Sequence, residues 1–241
     1  MNCTINCVDC LNELCMHRVP LFSTLTYDEL KNVADRMVCC VYEKGETLFS
    51  ASDTPRSVTV ILEGNVKIYT LSSDGREKIL SVLSADDYFG ELHLFGDEPA
   101  SCSAEALERV KTCSFKREDF SKLMMDHPQM AVKLVEELGK RVVHLERVLQ
   151  NAASGRVDLR IAALLLEFSK KYSENGPDGR EVLLPLSREG MANYLGIARE
   201  TLSRKLKQME DNGLIAAVGN KRLRIVKPEL LDKMALGDYE D

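Results

Sequence analysis

Residues 186–215 read LSREGMANYLGIARETLSRKLKQMEDNGLI, and their spacing predicts two helices joined by a tight turn. Ser187 stands where an N-cap accepts from free backbone N–H groups, so the first helix is expected over Arg188 to Leu195. Gly196 supplies a left-handed turn residue. The second helix is expected from Arg199 to Asp211, with Asn212-Gly213 stopping it. Ala192, Leu195, Ile197, Leu202 and Leu206 fall where they hold the two helices together. Arg199, Glu200, Ser203 and Arg204 are left pointing outwards at a helix start, the position from which recognition helices touch base edges. A guanidinium can pair with both acceptors of guanine, and a carboxylate can accept from cytosine N4. Lys205, Lys207, Lys221, Arg222 and Arg224 are then available to phosphates. Beyond them IAAVGNKRLRIV (215–226) predicts a hairpin turning at Gly219-Asn220, a wing beside the helix pair.

Charge agrees with an anionic partner for this segment. From Ser187 to Glu229 there are nine basic and five acidic residues, a local +4 in a chain of net −6. The rest of the chain therefore carries −10, and attraction to nucleic acid has to come from a patch, not from the average.

Upstream, Ala131, Val135, Leu138, Val142, Leu145, Leu149 and Ala152 recur at alternating steps of four and three. That is the narrow apolar seam of a two-stranded coiled coil. A helix from Gln129 to Asn151 would be about 34 Å long, with lysines and glutamates flanking the seam. Val135, Leu138, Val142, Leu145 and Leu149 are expected to form a homodimer interface. Val132, Leu134 and Val143 flank it and can pack on the preceding domain. Asn151-Ala-Ala-Ser-Gly155 predicts a hinge, which places a domain boundary near residue 154. After it RVDLRIAALLLEFSKKYSE (156–174) predicts a helix ended by the Asn175-Gly-Pro-Asp-Gly179 turn.

Ahead of the long helix the pattern is β. From Val41 to about Phe115, runs such as SVTVILEG and VKIYTL are cut by turn signals at Lys44-Gly45, Glu63-Gly64 and Asp74-Gly75, as in an antiparallel roll or barrel. Thr26-Tyr-Asp-Glu29 is a capping box that opens a short helix through Arg36. No apolar run reaches the length of a membrane span and no signal peptide is evident, so a cytoplasmic protein with no membrane partner is expected. No phosphate-cradling loop, nucleophile elbow or HExxH pattern supports an enzyme.

The chain begins MNCTINCVDCLNELC, with cysteines at 3, 7, 10 and 15. In a reducing compartment such clusters point to metal or redox chemistry. Cys7-x-x-Cys10 is the firmest pair, because two intervening residues let one turn of chain aim both sulfurs at one centre. Cys39 and Cys40 border the first strand of the roll and are expected to be small core or near-surface residues.

GIARETLSRKLKQMEDNGLI (196–215) and FGELHLF (89–95) resemble the recognition helix and the β-roll signature of the CRP/FNR family of bacterial transcription regulators. The resemblance extends along nearly the whole chain. It implies an α+β fold: a cysteine-rich arm (1–22), an antiparallel β-roll sensor of the double-stranded β-helix, jelly-roll-like type (23–128), a dimerisation helix and hinge (129–154), and a winged helix-turn-helix (155–241). It also implies a homodimer on a palindromic DNA operator, with RNA polymerase as a further partner. In the branch that binds cyclic nucleotides, Gly-Glu is followed about ten residues later by an arginine that grips the cyclic phosphate. Here Gly90-Glu91 is present but the matching stretch is Pro99-Ala-Ser-Cys-Ser103. Cyclic AMP is therefore not expected, and Gly90 and Glu91 are assigned to roll architecture. In the FNR-like branch an oxygen-labile [4Fe-4S] cluster is held by N-terminal cysteines and one from the roll. That resemblance assigns Cys7, Cys10, Cys15 and Cys113 as ligands, with Cys3 as an alternative, although the last spacing departs by about one residue. Zinc, a thiol–disulfide switch on the same residues, or a small organic effector in the roll are the alternatives.

Overall fold

The computed structural model describes residues 2–5, 15–153, 155–176, 179–219 and 221–237. The chain divides into two compact units, Met1–Val142 and Val143–Asp241.

In the first unit, nine strands form two antiparallel sheets. They are β1 (Asn2–Ile5), β2 (Val38–Tyr42), β3 (Thr47–Phe49), β4 (Ser57–Glu63), β5 (Val66–Leu71), β6 (Glu77–Leu83), β7 (Tyr88–Phe89), β8 (Ser103–Ala106) and β9 (Val110–Lys116). One sheet runs β1-β2-β9-β4-β7 and the other β3-β8-β5-β6, the roll expected from the run of short strands. Alternation along β2, β4 and β9 sends side chains to two cores. Cys40, Tyr42, Ile61 and Val110 join Val66, Ile68, Ala104 and Ala106 of the second sheet. Cys39, Val58, Val60, Cys113 and Phe115 join Phe22, Leu30, Val33, Phe120, Met130 and Leu134. The second core is closed by helices: α1 (Cys15–Arg18), a 3-10 turn at Pro20–Phe22, α2 (Tyr27–Ala34), α3 (Arg117–Asp126) and the start of α4 (Pro128–Ala153).

The capping box at α2 forms: the Glu29 carboxylate accepts from the Thr26 backbone N–H at 2.7 Å and from its hydroxyl at 2.8 Å. The helix ends at Ala34, two residues before the expected Arg36. α4 is unbroken to Ala153, so the expected boundary near residue 154 marks the end of this helix. The compact units divide within it.

The second unit holds α5 (Val157–Lys171), α6 (Arg188–Leu195), α7 (Arg199–Asp211), α8 (Pro228–Leu236) and a sheet ordered β10-β11-β13-β12. Its strands are Ser173–Gly176, Gly179–Leu183, Ile215–Ala217 and Arg222–Ile225 for β10 to β13. α5 stops at Lys171 and not at the Asn175–Gly179 turn. Ser173–Gly176 instead pairs with Gly179–Val182 as a hairpin, in register Ser173↔Val182 to Gly176↔Gly179. The backbone groups of β10 are satisfied by β11, which removes the reason to continue as helix. Pro177 and Asp178 of that turn lie outside the described residues.

Candidate nucleic-acid interface and cysteine centre

The helix pair forms as its spacing predicts. The Ser187 hydroxyl accepts from the Gly190 N–H at 3.1 Å, and Gly196 caps α6 at φ 62° in the left-handed region. Met191, Ala192, Leu195, Leu202, Leu206 and Met209 are buried between and beneath the helices, while Ile197 is half-buried. This packing leaves Arg199, Glu200, Ser203 and Arg204 exposed on the first turns of α7. The wing forms too, β12 and β13 pairing from Ile215↔Ile225 to Ala217↔Leu223. Gly219 takes a φ of 113° at its tip, and Asn220 lies outside the described residues.

The basic residues around this face divide in a way the sequence did not predict. Lys205, expected to face DNA, is tied within the domain: its ammonium lies 3.0 Å from the Asp158 carboxylate on α5. Lys207 pairs with Glu210 at 3.3 Å and Asp211 at 3.1 Å, and Arg222 with Glu174 at 3.3 Å and Glu181 at 3.6 Å. Arg224 is half-buried and engaged. Exposed Arg199, Arg204, Lys221 and Lys227 have no ion pair among the described residues. Glu210 also accepts from the Ala217 backbone N–H at 3.2 Å, so α7 and the wing are fixed to one another. Arg188 lies beside them, lining a cavity of about 200 Å³ with Ser203, Lys207, Glu210 and Leu223. Burial pushes its pKa down and Glu210 opposes that shift.

The long helix presents two apolar sides. Met130 and Leu134 are fully buried in the first unit, and Leu138 is partly buried against the same core. Of the five residues of the expected seam, Val135, Val142, Leu145 and Leu149 are exposed by 54 to 68% in the single chain, and Leu138 is the one turned partly to the core. Val132 and Val143 are exposed as well. Of the flanking residues in the first unit, Leu134 packs on the roll core beside Met130 and Leu138, and Val132 does not.

Of the cysteines, Cys7 and Cys10 lie outside the described residues. Cys3 is in β1, in register with Cys40 of β2, and Cys15 opens α1. Cys113 is fully buried on β9 and forms a disulfide with Cys39, its direct register partner on β2, at a Cα–Cα distance of 4.1 Å. Two residues facing each other across antiparallel strands send their side chains to the same face. Cys39 was expected to be a small core or near-surface residue. It lies in the core, and it is also the partner of Cys113. A sulfur shared in that bond has no thiolate to give a metal, so this state of the chain does not fit a four-thiolate centre that includes Cys113. Cys102 is a half-buried free thiol whose pKa burial pushes up.

The Gly-Glu of the roll signature is structural. Gly90 sits at φ 92°, and a Cβ there would run into the Ser57 backbone carbonyl. Glu91 is buried, and its carboxylate is held by Arg141 of α4. The same guanidinium donates to the Tyr88 carbonyl at 3.0 Å and lies 4.8 Å from the Tyr88 ring centroid. The opposing stretch, Pro99–Ser103, offers no cation, and Ser103 accepts from the Ala51 backbone N–H at 2.9 Å.

Comparison with known proteins bears on both units. The cyclic nucleotide-binding domain family matches residues 39–127, and the Crp-like helix-turn-helix domain family residues 159–234. The fumarate nitrate reduction regulatory protein of Klebsiella oxytoca is 28% identical over 97% of this chain and 91% of its own length. The transcriptional regulator flp of Lacticaseibacillus casei is 29% identical over 92% of this chain and 98% of its own. Among solved structures, FixK2 of Bradyrhizobium japonicum superposes with a TM-score of 0.74 at 26% identity, over 82% of this chain and 96% of that one.

Proposed function

The chain belongs to the CRP/FNR family of transcription regulators, and on that premise we propose that it is a homodimeric, redox-responsive regulator reading a palindromic operator through α7. The observation that carries the operator half is the outward set Arg199, Glu200, Ser203 and Arg204 at the start of a rigidly packed recognition helix. The exposed seam of Val135, Val142, Leu145 and Leu149 supplies the twofold contact, and the half-sites are about one helical turn apart. RNA polymerase is the onward partner, and the protein works in the cytoplasm.

We assign control to the cysteines. Relatives named for fumarate and nitrate reduction support a low-oxygen signal, since both compounds are alternative electron acceptors to oxygen. With the Cys39–Cys113 bond reduced, Cys113 would be available with Cys7, Cys10 and Cys15 as the thiolates to hold a [4Fe-4S] cluster, which would supply oxygen-labile chemistry. The chain's own residues give a route onward. Cys39 and Cys113 share one core with Met16, next to Cys15, and with Met130 and Leu134 of α4. Close-packed cores transmit displacement instead of absorbing it, so a change at Cys113 bears on the long helix.

Two measurements test this. Anaerobically purified protein is expected to be brown, to contain iron and sulfide, and to bind a palindromic operator more tightly than after exposure to air. Colourless, iron-free protein with unchanged binding would refute the sensing half. Separately, Arg204→Ala should cost about 1–3 kcal/mol on the preferred site while sparing scrambled DNA. Equal weakening on all sequences would make Arg204 a phosphate contact.

A further inference from the structure

We infer that Cys39 and Cys113 are a reversible thiol–disulfide pair that withholds Cys113 from any metal centre until it is reduced, with Cys39 oxidised first and Cys113 as the resolving cysteine. The pairing itself follows from strand register alone. β2 and β9 are joined from Val38↔Ser114 to Tyr42↔Val110, with Cys39 opposite Cys113 in the middle of the ladder. Backbone hydrogen bonds on both sides hold the two sulfurs together whether or not they are bonded, so opening and closing the bond needs no change of fold. Both side chains face the helix-covered core, with Cys39 4% exposed and Cys113 not exposed at all. The second half of the inference, the withholding, rests on the four-thiolate reading above. The first half does not.

The chemistry balances with a peroxide as oxidant. The Cys39 sulfur, the more open of the two, attacks one peroxide oxygen. The O–O bond breaks, one water leaves, and Cys39 becomes a sulfenic acid. The Cys113 sulfur then attacks the Cys39 sulfur, the S–O bond breaks, and a second water carries away the oxygen and the remaining protons. Two thiols and one peroxide give one disulfide and two waters. A dithiol reductant returns two electrons and two protons by exchange through a mixed disulfide. Met16 and Val19, just beyond Cys15, share the core that covers the pair.

The test uses the full chain. Cys39 and Cys40 fall in one tryptic peptide, residues 37–44, and Cys113 in another, residues 112–116. Mass spectrometry of reduced and then peroxide-treated protein, alkylated under denaturing conditions, should show these peptides linked, with fragmentation placing the bond at Cys39. Dithiothreitol should free both thiols with no change in the circular dichroism spectrum. The link should survive in Cys40→Ala and be lost in Cys39→Ala. Alkylated, unlinked Cys39 and Cys113 after peroxide, or a bond joining Cys113 to Cys40, would overturn the pair. Anaerobic loading with iron and sulfide then tests the withholding. Reduced wild type and peroxide-treated Cys39→Ala should take up iron, and peroxide-treated wild type should not. Equal uptake by the disulfide form would overturn the withholding. A linked peptide with no iron uptake by any form would sink the four-thiolate reading and leave the redox pair standing.

Discussion

Glu91 shows how one residue type at one position can serve a different end from the one its motif suggests. Its carboxyl is buried, with one oxygen held by Arg141 and the other, Oε2, without a hydrogen-bond partner. Burial pushes its pKa above the ordinary value and outweighs the pull of Arg141 in the other direction. The folded protein thus holds a proton at Glu91 more tightly than the unfolded chain does. Its contribution to stability is fully present below the unfolded pKa and is lost as pH rises through the higher folded one. Glu91→Gln removes that loss, so the variant should gain on wild type in urea denaturation midpoints as pH rises from about 4 to 7. A gap independent of pH would show that Glu91 titrates normally. Arg141→Ala leaves the carboxylate buried and alone and should cost about 2–3 kcal/mol. That is less than for a fully enclosed pair, because Arg141 is 40% exposed.

Helices with a dense local code were legible in the sequence, and contacts between distant segments were not. Ser187, Gly196 and the Leu202–Leu206 spacing specify α6, the turn and α7 within a few residues of one another, and those bounds match the structure. β10 was missed because SENG has neither alternation nor β-branched residues; only its pairing with β11 makes it a strand. The Lys205–Asp158 tie spans 47 residues and the Cys39–Cys113 bond 74, and neither separation leaves a periodic trace. α4 lies between these cases. Its course from Gln129 to Asn151 was legible from periodicity, within the observed Pro128–Ala153, but which apolar side meets the roll was decided by tertiary packing. The remaining seam is wholly apolar, and each such side chain contributes about 1.5–3 kcal/mol when buried. The dimer should therefore persist at micromolar concentration without any cofactor, as read by light scattering after size exclusion. Leu145→Glu, which places two like charges across the twofold contact, should yield monomer. Monomeric cofactor-free wild type would show that the seam is not sufficient.

At the scale of the whole molecule, an acidic chain has to bind a polyanion through a small number of cations that are not already spent. Of the nine basic residues between Ser187 and Glu229, Lys205, Lys207 and Arg222 are held by carboxylates, Arg188 is partly buried beside Glu210 and Arg224 is engaged. That leaves Arg199, Arg204, Lys221 and Lys227 in each chain, and twice as many in a dimer. Each phosphate neutralised contributes about −0.9 to the slope of log K against log salt, so eight cations give a slope of about −7 at most. If all nine per chain reached DNA, the slope would be about −16. Fluorescence anisotropy on a fixed operator between about 50 and 200 mM salt separates the two. Lys221→Ala should make the slope shallower by about 2 per dimer and weaken all sequences alike. Lys207→Ala should leave the slope unchanged, because its charge is already matched by Glu210 and Asp211. A slope near −16 would mean that the internal ion pairs break on binding, and that the recognition face seen in the free chain is not the one that meets the operator.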